Sequence, residues 1–291
     1  MSSETLAGEI RKRIGPFPDA TESPLVSLIV LNRDGGRHLR RLVAGLIEHT
    51  DYTAMELVLV DNGSSDDSIA FMRSVEAPFP ISVVANARNE SFSDGCNQGA
   101  KLARGELLLF LNNDIEPFEP GWLRELVVCL RESEASAVAA TLLCSEEEHE
   151  RAFEHGYGVQ HRGLMFRREE GHAYPELRGW EEDPLDGALG TDTECDAVAA
   201  ACLLMDKPTF EEVGGFSPGY RYGCEDVDLC LKLRASGGRI VCSGRSIAIH
   251  HPVSTRRKIH FDEARAMKLA NRRLLWERWG PDCDATANRQ H

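Results

Sequence analysis

The 291-residue sequence lacks the features expected of a secreted, membrane-spanning or zinc-ribbon protein. Its nine cysteines form no C-x-x-C pair, which favours buried thiols in a reducing compartment over disulfides or a zinc site. The longest apolar run, 197–205, is far shorter than a bilayer span. Charged residues interrupt the first 13 positions, where a signal peptide would be apolar. We therefore expect a cytoplasmic protein, with peripheral contact to the inner face of the cell membrane left open.

Positive charge is also scarce. Lys and Arg number 33 against 47 Asp and Glu, so the formal net charge is -14. Because a nucleic-acid binder usually presents a basic face, no nucleic-acid partner is expected. Hydrophobic residues make up 42% of the chain, enough for a sizeable core.

Short apolar strands alternate with amphipathic helices from residue 24 onward. The predicted strands are 26–31, 56–60, 81–84 and 106–111. This alternation predicts an α/β fold with a mostly parallel central sheet and helices on both faces. Ligands of such sheets bind beyond the carboxyl ends of the strands, where Asn32, Asp61 and Asp114 lie.

Changes in composition and in hydrophobic periodicity divide the chain into three parts. Residues 1–23 are polar and predict a loosely packed lead-in. Residues 24–252 are expected to form one domain, in which the charged, weakly periodic segment 145–192 is an insertion of loops and short hairpins. Residues 253–291 predict a helical extension, with an amphipathic helix at 260–279 that Gly280-Pro281 ends.

Two acidic clusters more than a hundred residues apart suit catalytic chemistry. Asp114 closes a buried strand, where a carboxylate is well placed to hold a divalent cation. Glu225 and Asp226 begin a helical segment, and either could take a proton from a hydroxyl. His250 ends a third apolar run and could be a further metal ligand. The alternative for each is structural: a polar turn, acids that stabilise a helix N-terminus, or a core histidine.

Asp61 follows an apolar strand and opens the run Asp-Asn-Gly-Ser-Ser-Asp. A carboxylate at this point could accept the imide N–H of a uracil or thymine ring. It could equally satisfy the amides of its own loop, as Asx-turns do. The local pattern leaves both roles open.

Taken in order, these motifs resemble glycosyltransferase family 2, the inverting enzymes of the GT-A (nucleotide-diphospho-sugar transferase) fold, particularly its bacterial rhamnosyltransferase-like members. The resemblance covers residues 25 to about 251. The matching stretches are VSLIVLNRDG (26–35), ELVLVDNGSS (56–65), NQGA (97–100), RGELLLFLNND (104–114), ACLLM (201–205), FEEVGGF (210–216) and EDVDLCLKL (225–233). Their order and spacing are far more specific than any single motif.

The resemblance implies transfer of a sugar, with inversion, from a UDP- or dTDP-linked donor to a hydroxyl of a glycan or lipid-linked acceptor. Asp226 would be the general base and Glu225 would help to position substrate or proton. Mn2+ or Mg2+ would be held by Asp114 and His250. Nucleotide-binding roles would fall to the polar residues at the strand ends and in the following helix, namely Asn32, Asp61, Asn97, Asn112 and Asn113.

The same resemblance assigns a role to the two halves of the domain. Residues 24–144 would form the nucleotide-binding half and residues 193–252 the catalytic half. The segment 145–192 interrupts the regular strand–helix alternation and carries aromatic side chains that can cover a sugar ring, so its own composition predicts that it faces the acceptor. Its candidates are Tyr157, Phe166, Tyr174 and Trp180. The alternative is that these aromatic residues only pin a long loop to the domain.

Two other functions stay open from the sequence. One is a non-catalytic nucleotide-sugar or glycan-binding module of the same fold, although such a module would not need Asp226. The other is a nucleotidyltransferase, which would be expected to carry a Gly-rich, basic loop for a triphosphate. The run Asn32 to Gly36 (NRDGG) is a poor version of that loop.

Overall fold

The computed structural model describes residues 2–18, 23–145, 155–169, 172–180, 182–187, 189–221, 223–251 and 261–288. The strands are β1 Val26–Asn32, β2 Met55–Asp61, β3 Ile81–Ala85, β4 Leu107–Asn112, β5 Ile115–Glu116, β6 Ala137–Ser145, β7 Tyr157–His161, β8 Leu164–Glu169, β9 His172–Leu177, β10 Thr193–Cys195, β11 Cys202–Asp206 and β12 Ile240–His250. The helices are α1 Ser3–Ile14, α2 Gly36–Glu48, α3 Ser68–Ser74, α4 Phe92–Leu102, α5 Trp122–Glu132, α6 Lys207–Glu212, α7 Glu225–Ala235 and α8 Phe261–Asn288.

The central sheet has the order β10-β12-β6-β11-β4-β1-β2-β3, with β5 added to β12 and β7 to β6. Strands β1 to β4 of the first half run parallel, whereas β11 is antiparallel to both of its neighbours. The α/β fold predicted from the strand–helix alternation is confirmed, with a mixed sheet in the second half. Strands β8 and β9 form a separate hairpin.

Both faces of the sheet are apolar, which explains why its strands appear as continuous hydrophobic runs. Leu28 and Val30 of β1 join a cluster with α2, α3 and α5, while Ile29 points to the opposite cluster with α4, α6, α7 and α8. A strand buried on both faces needs no polar alternation. Helices therefore cover the sheet on both sides, and its strand ends are left to carry the polar residues.

The expectation of a loosely packed lead-in at 1–23 is wrong for its described part. Residues Ser3–Ile14 form α1, and Leu6 and Ile10 are fully buried against β6, β7 and β12. Arg11 of this helix reaches Glu119 at 2.6 Å and Glu125 at 3.1 Å. The buried apolar residues of α1 recur at helical spacing, and they suffice to dock a helix that is otherwise polar.

The C-terminal helix also departs from its predicted end. Helix α8 continues through Gly280 and Pro281 to Asn288. A proline costs one backbone hydrogen bond in a helix interior. Here Cys283 and Ala287 beyond it are buried in the core, and their packing holds the last turns in place. The start of the predicted helix, at His260, lies outside the described residues.

Buried thiols are confirmed: all nine cysteines lie in the described segments, none forms a disulfide, and eight are buried. None of the described helices, α8 included, combines the length and the apolar composition that crossing a bilayer requires.

Candidate active site

The carboxyl ends of β1, β2 and β4 meet at one edge of the sheet, as the parallel pairing requires. Asn32 is fully buried there and lies opposite Asp61 in the register. Its amide nitrogen donates to Ser64 Oγ at 3.3 Å and, at 3.4 Å, to Asp61 Oδ1. Its amide oxygen accepts from Asn113 Nδ2 at 2.7 Å. Three of the polar side chains predicted to bind a nucleotide are thus joined in one network.

Asp61 has the loop role that the sequence left open. Its Oδ2 accepts the backbone N–H of Ser64 at 2.9 Å, as in an Asx-turn, and the residue is fully buried. A carboxylate has about four acceptor sites, so this bond leaves capacity for a ligand. The contact with a nucleobase stays a prediction.

Gly35 is a residue of this edge that sequence reasoning missed. A Cβ atom built on it would lie 2.8 Å from Asn32 Oδ1 and would also overlap the amide of Asn113. The loop after β1 therefore passes so close to the polar network that a larger residue at this position would displace the side-chain amides of Asn32 and Asn113.

The two predicted metal ligands meet at a short strand pair. The turn that contains Asp114 leads into β5, which pairs antiparallel with the end of β12, so that Ile115 lies opposite His250. The backbone N–H of His251 donates to the carbonyl of Asp114 at 2.9 Å. As a result, Nε2 of His250 lies 3.2 Å from Asp114 Oδ1.

Nε2 of His250 and Oδ1 of Asp114 lie within ion-pair distance but do not have the geometry of a hydrogen bond. Asp114 is 8% exposed, and its buried Oδ1 finds no hydrogen-bond partner among the described residues. An unpartnered buried carboxylate oxygen is costly unless something compensates it. An imidazole nitrogen and a carboxylate oxygen facing each other in this way are a donor set suited to Mn2+, and the carboxylate also to Mg2+.

The protein side chains alone do not complete such a site. Within the described ranges, no three His, Cys, Asp or Glu side chains converge to hold a metal. A cation bound by Asp114 and His250 would need further oxygen ligands from water or from a bound phosphate. The two residues fit a cation that is shared with a ligand.

The second acidic cluster begins α7 at the predicted position. Two consecutive residues before it, Gly223 (φ 90°) and Cys224 (φ 73°), have left-handed backbone conformations. For a residue with a Cβ this costs roughly 1–3 kcal/mol, and such strain is concentrated at functional sites. The bend directs Glu225 and Asp226 to the start of the helix, where each is partly buried.

Backbone amides hold the Asp226 carboxylate. Its Oδ1 accepts from Val227 N–H at 2.8 Å and its Oδ2 from Ala200 N–H at 3.4 Å. The next residue, Ala201, accepts a backbone hydrogen bond from Asn112 at 2.9 Å. Residues 200 and 201 therefore link the second acidic cluster directly to the strand end that carries the first.

Burial gives the two neighbouring carboxyl groups an unusual titration. It raises the pKa of Glu225 to about 8, and the negative charge of Asp226 contributes to the same shift. Burial also raises the pKa of Asp226, opposed by the amides of Val227 and Ala200. Since these amides stabilise the Asp226 carboxylate, Asp226 loses its proton first and Glu225 keeps the second proton near neutral pH.

The chain matches the family model described as glycosyl transferase family 2 over residues 26–179. It is 34% identical over 249 residues to the O-antigen biosynthesis protein RfbC of Myxococcus xanthus, which covers 83% of this chain. This chain belongs to glycosyltransferase family 2. It is also 38% identical to the rhamnosyltransferase WbbL of Escherichia coli, but over only 64 residues, or 22% of this chain and 24% of WbbL. The chain spans 18% of the length of RfbC.

Solved structures share the fold at low sequence identity. GalNAc-T7, solved with UDP, GalNAc and Mn2+, superposes with a TM-score of 0.62 at 19% identity, over 79% of this chain and 44% of GalNAc-T7. The mannosyltransferase PcManGT of Pyrobaculum calidifontis, solved with GDP-Man and Mn2+, gives 0.57 at 16% identity, over 92% of this chain and 72% of PcManGT. The GT-A fold expected of a family 2 member is thereby confirmed.

Two residues predicted to bind the nucleotide, Asn97 and Asn112, make hydrogen bonds to backbone atoms among the described residues. The amide of Asn97 exchanges two hydrogen bonds with the backbone of Phe216, at 2.9 and 3.0 Å, and so fixes the turn after Gly214 and Gly215. Asn112 is partly buried and donates its backbone N–H to Ala201. Nucleotide contacts of both side chains stay predictions.

The third acid at the start of α7, Asp228, has a structural role. It is fully buried and accepts from Ser217 Oγ (2.5 Å), Tyr220 Oη (2.9 Å) and Trp279 Nε1 (3.0 Å). It therefore joins α7 to α8 and to the turn at 217–220. This separates it from its neighbours Glu225 and Asp226, although all three are acids within one helical turn.

Part of the segment 145–192 belongs to the core, contrary to an acceptor-facing role for all of its aromatic residues. Phe166 is 2% exposed and packs within the core cluster beside α8. Tyr174 is partly buried under the guanidinium of Arg272. Tyr157 is also partly buried, and Trp180, at 39%, is the most exposed of the four.

Strand β7 of the same segment supplies two contacts that sequence reasoning missed. Gln160 Oε1 lies 2.6 Å from His250 Nδ1. His161 Nε2 accepts the backbone N–H of Ala199 at 3.1 Å, and burial lowers the pKa of His161 to about 3, so the ring is neutral. Strand β7 thus contacts His250 of the Asp114–His250 pair, and it contacts Ala199, the residue before the one that donates to the Asp226 carboxylate.

Proposed function

We propose that this chain is an inverting glycosyltransferase that moves a sugar from a UDP- or dTDP-linked donor to a hydroxyl of a glycan or lipid-linked acceptor. The observation that carries the proposal is the link between the two acidic clusters: Ala200 bonds the Asp226 carboxylate, and Ala201 bonds Asn112. Transfer from a nucleotide-sugar requires both a group that stabilises a leaving diphosphate and a base. This link supports the proposal because it connects the candidate base to the strand end that precedes the candidate cation ligand.

The donor side of the site would be built by the first half of the chain. Asn32, Asp61 and Asn113 form a preorganised polar network for the nucleoside. Asp114 and His250 would hold Mn2+ or Mg2+, which when bound supplies Lewis-acid stabilisation of charge on the leaving diphosphate. In a protein with a net charge of -14, such a cation would also neutralise the charge of the diphosphate locally.

On the acceptor side, Asp226 takes the proton of the attacking hydroxyl. The hydroxyl oxygen forms its bond to the anomeric carbon from the face opposite the diphosphate, whose bond to that carbon breaks, so the configuration inverts. General-base assistance is worth about 10²–10⁴-fold in rate, or roughly 3–5 kcal/mol of barrier. Glu225, protonated near neutral pH, avoids a second negative charge beside the base and can donate a hydrogen bond to substrate.

The finer assignments follow the same division. Residues 24–144 act on the nucleotide, 193–252 on catalysis, and the exposed Trp180 of the 145–192 segment offers a face to the acceptor sugar. The short stretch shared with WbbL, described as a rhamnosyltransferase, is the reason to include deoxyhexose donors among the candidates.

A thermal-shift screen with UDP-, dTDP- and GDP-sugars, each with and without Mn2+, tests the proposal. A ligand that binds only the folded state raises the melting temperature. We expect a UDP- or dTDP-sugar to raise it only when Mn2+ is present, and the shift to disappear in Asp114→Asn. The proposal fails if no nucleotide-sugar stabilises the protein, or if stabilisation is the same in the variant and without the cation.

A further inference from the structure

We propose that Gln160 is a positioning residue of the cation site, whose side-chain carbonyl holds the His250 ring with Nε2 facing Asp114. The inference rests on the proposed function, because it takes His250 to be a cation ligand. It deepens that function by assigning a role in catalysis to a strand of the segment that was expected only to face the acceptor.

A bulge in the sheet brings Gln160 to this position. In the pairing of β6 with β7, Leu142 lies opposite His161 and Leu143 lies opposite Val159, so Gln160 is the extra residue between them. Bulges redirect a side chain and are common beside active sites. On the other side of β6, Leu143 pairs with Ile249, the residue before His250.

The contact is short and largely closed to solvent. Gln160 Oε1 lies 2.6 Å from His250 Nδ1, and Gln160 is 9% exposed. At this depth the amide and the imidazole have little water to bond instead. The bond therefore restricts the rotation of the ring as well as satisfying two polar atoms.

The chemistry of the two groups determines which nitrogen of His250 carries the proton. With Gln160 Oε1 as the acceptor, the 2.6 Å contact requires Nδ1 to be the N–H donor. In the neutral ring Nε2 then has the free electron pair, and this is the atom 3.2 Å from Asp114 Oδ1. Asp114 Oδ1 has no hydrogen-bond partner among the described residues, so no protein donor competes with a cation for this oxygen.

This arrangement is the one that a metal-binding histidine needs. Metal-ligating histidines commonly donate their second N–H to an oxygen acceptor, which fixes the tautomer and the ring orientation. Loss of such a partner typically weakens metal binding by about 10–100-fold. The adjacent His161 bonds a different loop through Ala199, so a change at Gln160 leaves that contact in place.

The first arm of the test needs no variant. In metal-free wild-type protein labelled with ¹⁵N-histidine, the His250 resonances, assigned by their loss in His250→Ala, report the tautomer. We expect the proton on Nδ1, and in Gln160→Leu we expect a mixture of tautomers. A wild-type His250 ring that carries its proton on Nε2 overturns the proposal.

The second arm measures affinity. Calorimetric titration of UDP in the presence of Mn2+ is expected to show binding about 10–100-fold weaker in Gln160→Leu and restored in Gln160→Glu, whose carboxylate also accepts from Nδ1. Asp183→Asn is the matched control: it disturbs the 2.9 Å contact of another buried histidine, His155, in the same segment. We expect Asp183→Asn to lower stability without weakening the binding of UDP and Mn2+. That result would show that the weaker binding in Gln160→Leu does not come from a general loss of stability.

The two arms distinguish the possible failures. If Gln160→Leu binds Mn2+ and UDP as tightly as wild type while His250→Ala does not, the positioning role is overturned and the cation site stands. If His250→Ala itself keeps wild-type affinity, the cation assignment of the proposed function fails. In that case, the tautomer of wild-type His250 still decides whether Gln160 orients the ring.

Discussion

Nε2 of His250 lies 3.2 Å from Oδ1 of Asp114, although more than a hundred residues separate the two in the sequence. The two-residue strand β5 creates this contact by pairing with the end of β12. The Asp114 oxygen has no hydrogen-bond partner in the described part of the chain, so the pair is held together at an energetic cost. Such a cost is expected where the fold keeps ligand atoms ready for a cation.

The first prediction concerns Asp114. Asp114→Asn should remove cation-dependent binding of UDP or dTDP, because the amide lacks the charge that attracts the cation. Its melting temperature should change little, since Oδ1 of Asp114 has no hydrogen bond to lose within the described residues. Calorimetric titration with and without Mn2+ measures the binding. The control is Asp51→Ala, which removes a surface ion pair with Arg124 and should bind normally. Equal affinity in Asp114→Asn and wild type would rule out the metal assignment.

The second prediction separates the base from donor binding. Asp226→Asn keeps the volume but cannot take the proton, so transfer should fall about 10²–10⁴-fold while donor affinity is unchanged. Glu225→Gln should keep most of the activity, because Glu225 is already protonated near neutral pH. Initial rates and donor titrations measure the two effects. Transfer by Asp226→Asn within about tenfold of wild type, roughly 1.4 kcal/mol, would move the base elsewhere.

The third prediction follows from the raised pKa of Glu225. The folded protein keeps a proton on Glu225 up to about pH 8, whereas the unfolded chain releases it near the ordinary value for glutamate. The stabilisation of the folded state by protonated Glu225 is therefore fully present below the pKa of this group in the unfolded chain. It is lost as the pH rises through its pKa in the folded protein, about 8. Urea unfolding at pH 5 to 9 should show Glu225→Gln gaining stability relative to wild type as the pH rises. A difference that does not change with pH would contradict the raised pKa.

The fourth prediction tests the packing of α1. Ile10→Ala should lower the free energy of unfolding by about 2–5 kcal/mol, since Ile10 is fully buried among β6, β7 and β12. Glu9→Ala, on the exposed face beside Lys12, should leave stability nearly unchanged. Urea unfolding compares the two. Similar stability of both variants would mean that residues 3–14 do not pack as described.

The fifth prediction concerns the acceptor. Trp180→Ala should raise the KM for the acceptor and leave donor affinity unchanged. The reason is that Trp180 is exposed and is not one of the residues of the polar network around Asn32 that is proposed to bind the nucleoside. Phe166→Leu, a change within the core, is the structural comparison and should act on stability instead. Kinetics at varied acceptor concentration decide between them. A parallel fall of donor hydrolysis and acceptor transfer in Trp180→Ala would assign this residue to structure.

Much of the first half of the domain could be predicted because its sequence signals are local. Strands β1, β2 and β4 appear in the sequence as apolar runs, and the parallel arrangement then forces Asn32, Asp61 and Asp114 to one edge. The start of α7 at Glu225 was also predicted correctly, since acids near a helix N-terminus follow the glycine-rich turn directly.

The features that were missed depend on distant contacts. Strand β5 has two residues and exists only because β12 passes beside it. Gln160 reaches His250 through a register shift, which no local pattern reveals. In α8, burial of Cys283 and Ala287 outweighs the local helix-ending signal of Gly280-Pro281.

The stereochemistry of turnover tests the central claim most directly. With Mn2+ and the nucleotide-sugar that stabilises the protein in the screen, ¹H NMR of the first sugar released in the absence of acceptor shows its anomeric configuration. The account predicts the anomer opposite to that of the donor, and a rate about 10²–10⁴-fold lower in Asp226→Asn. Release of the donor's own anomer, or an undiminished rate in Asp226→Asn, would contradict single displacement by a hydroxyl that Asp226 deprotonates.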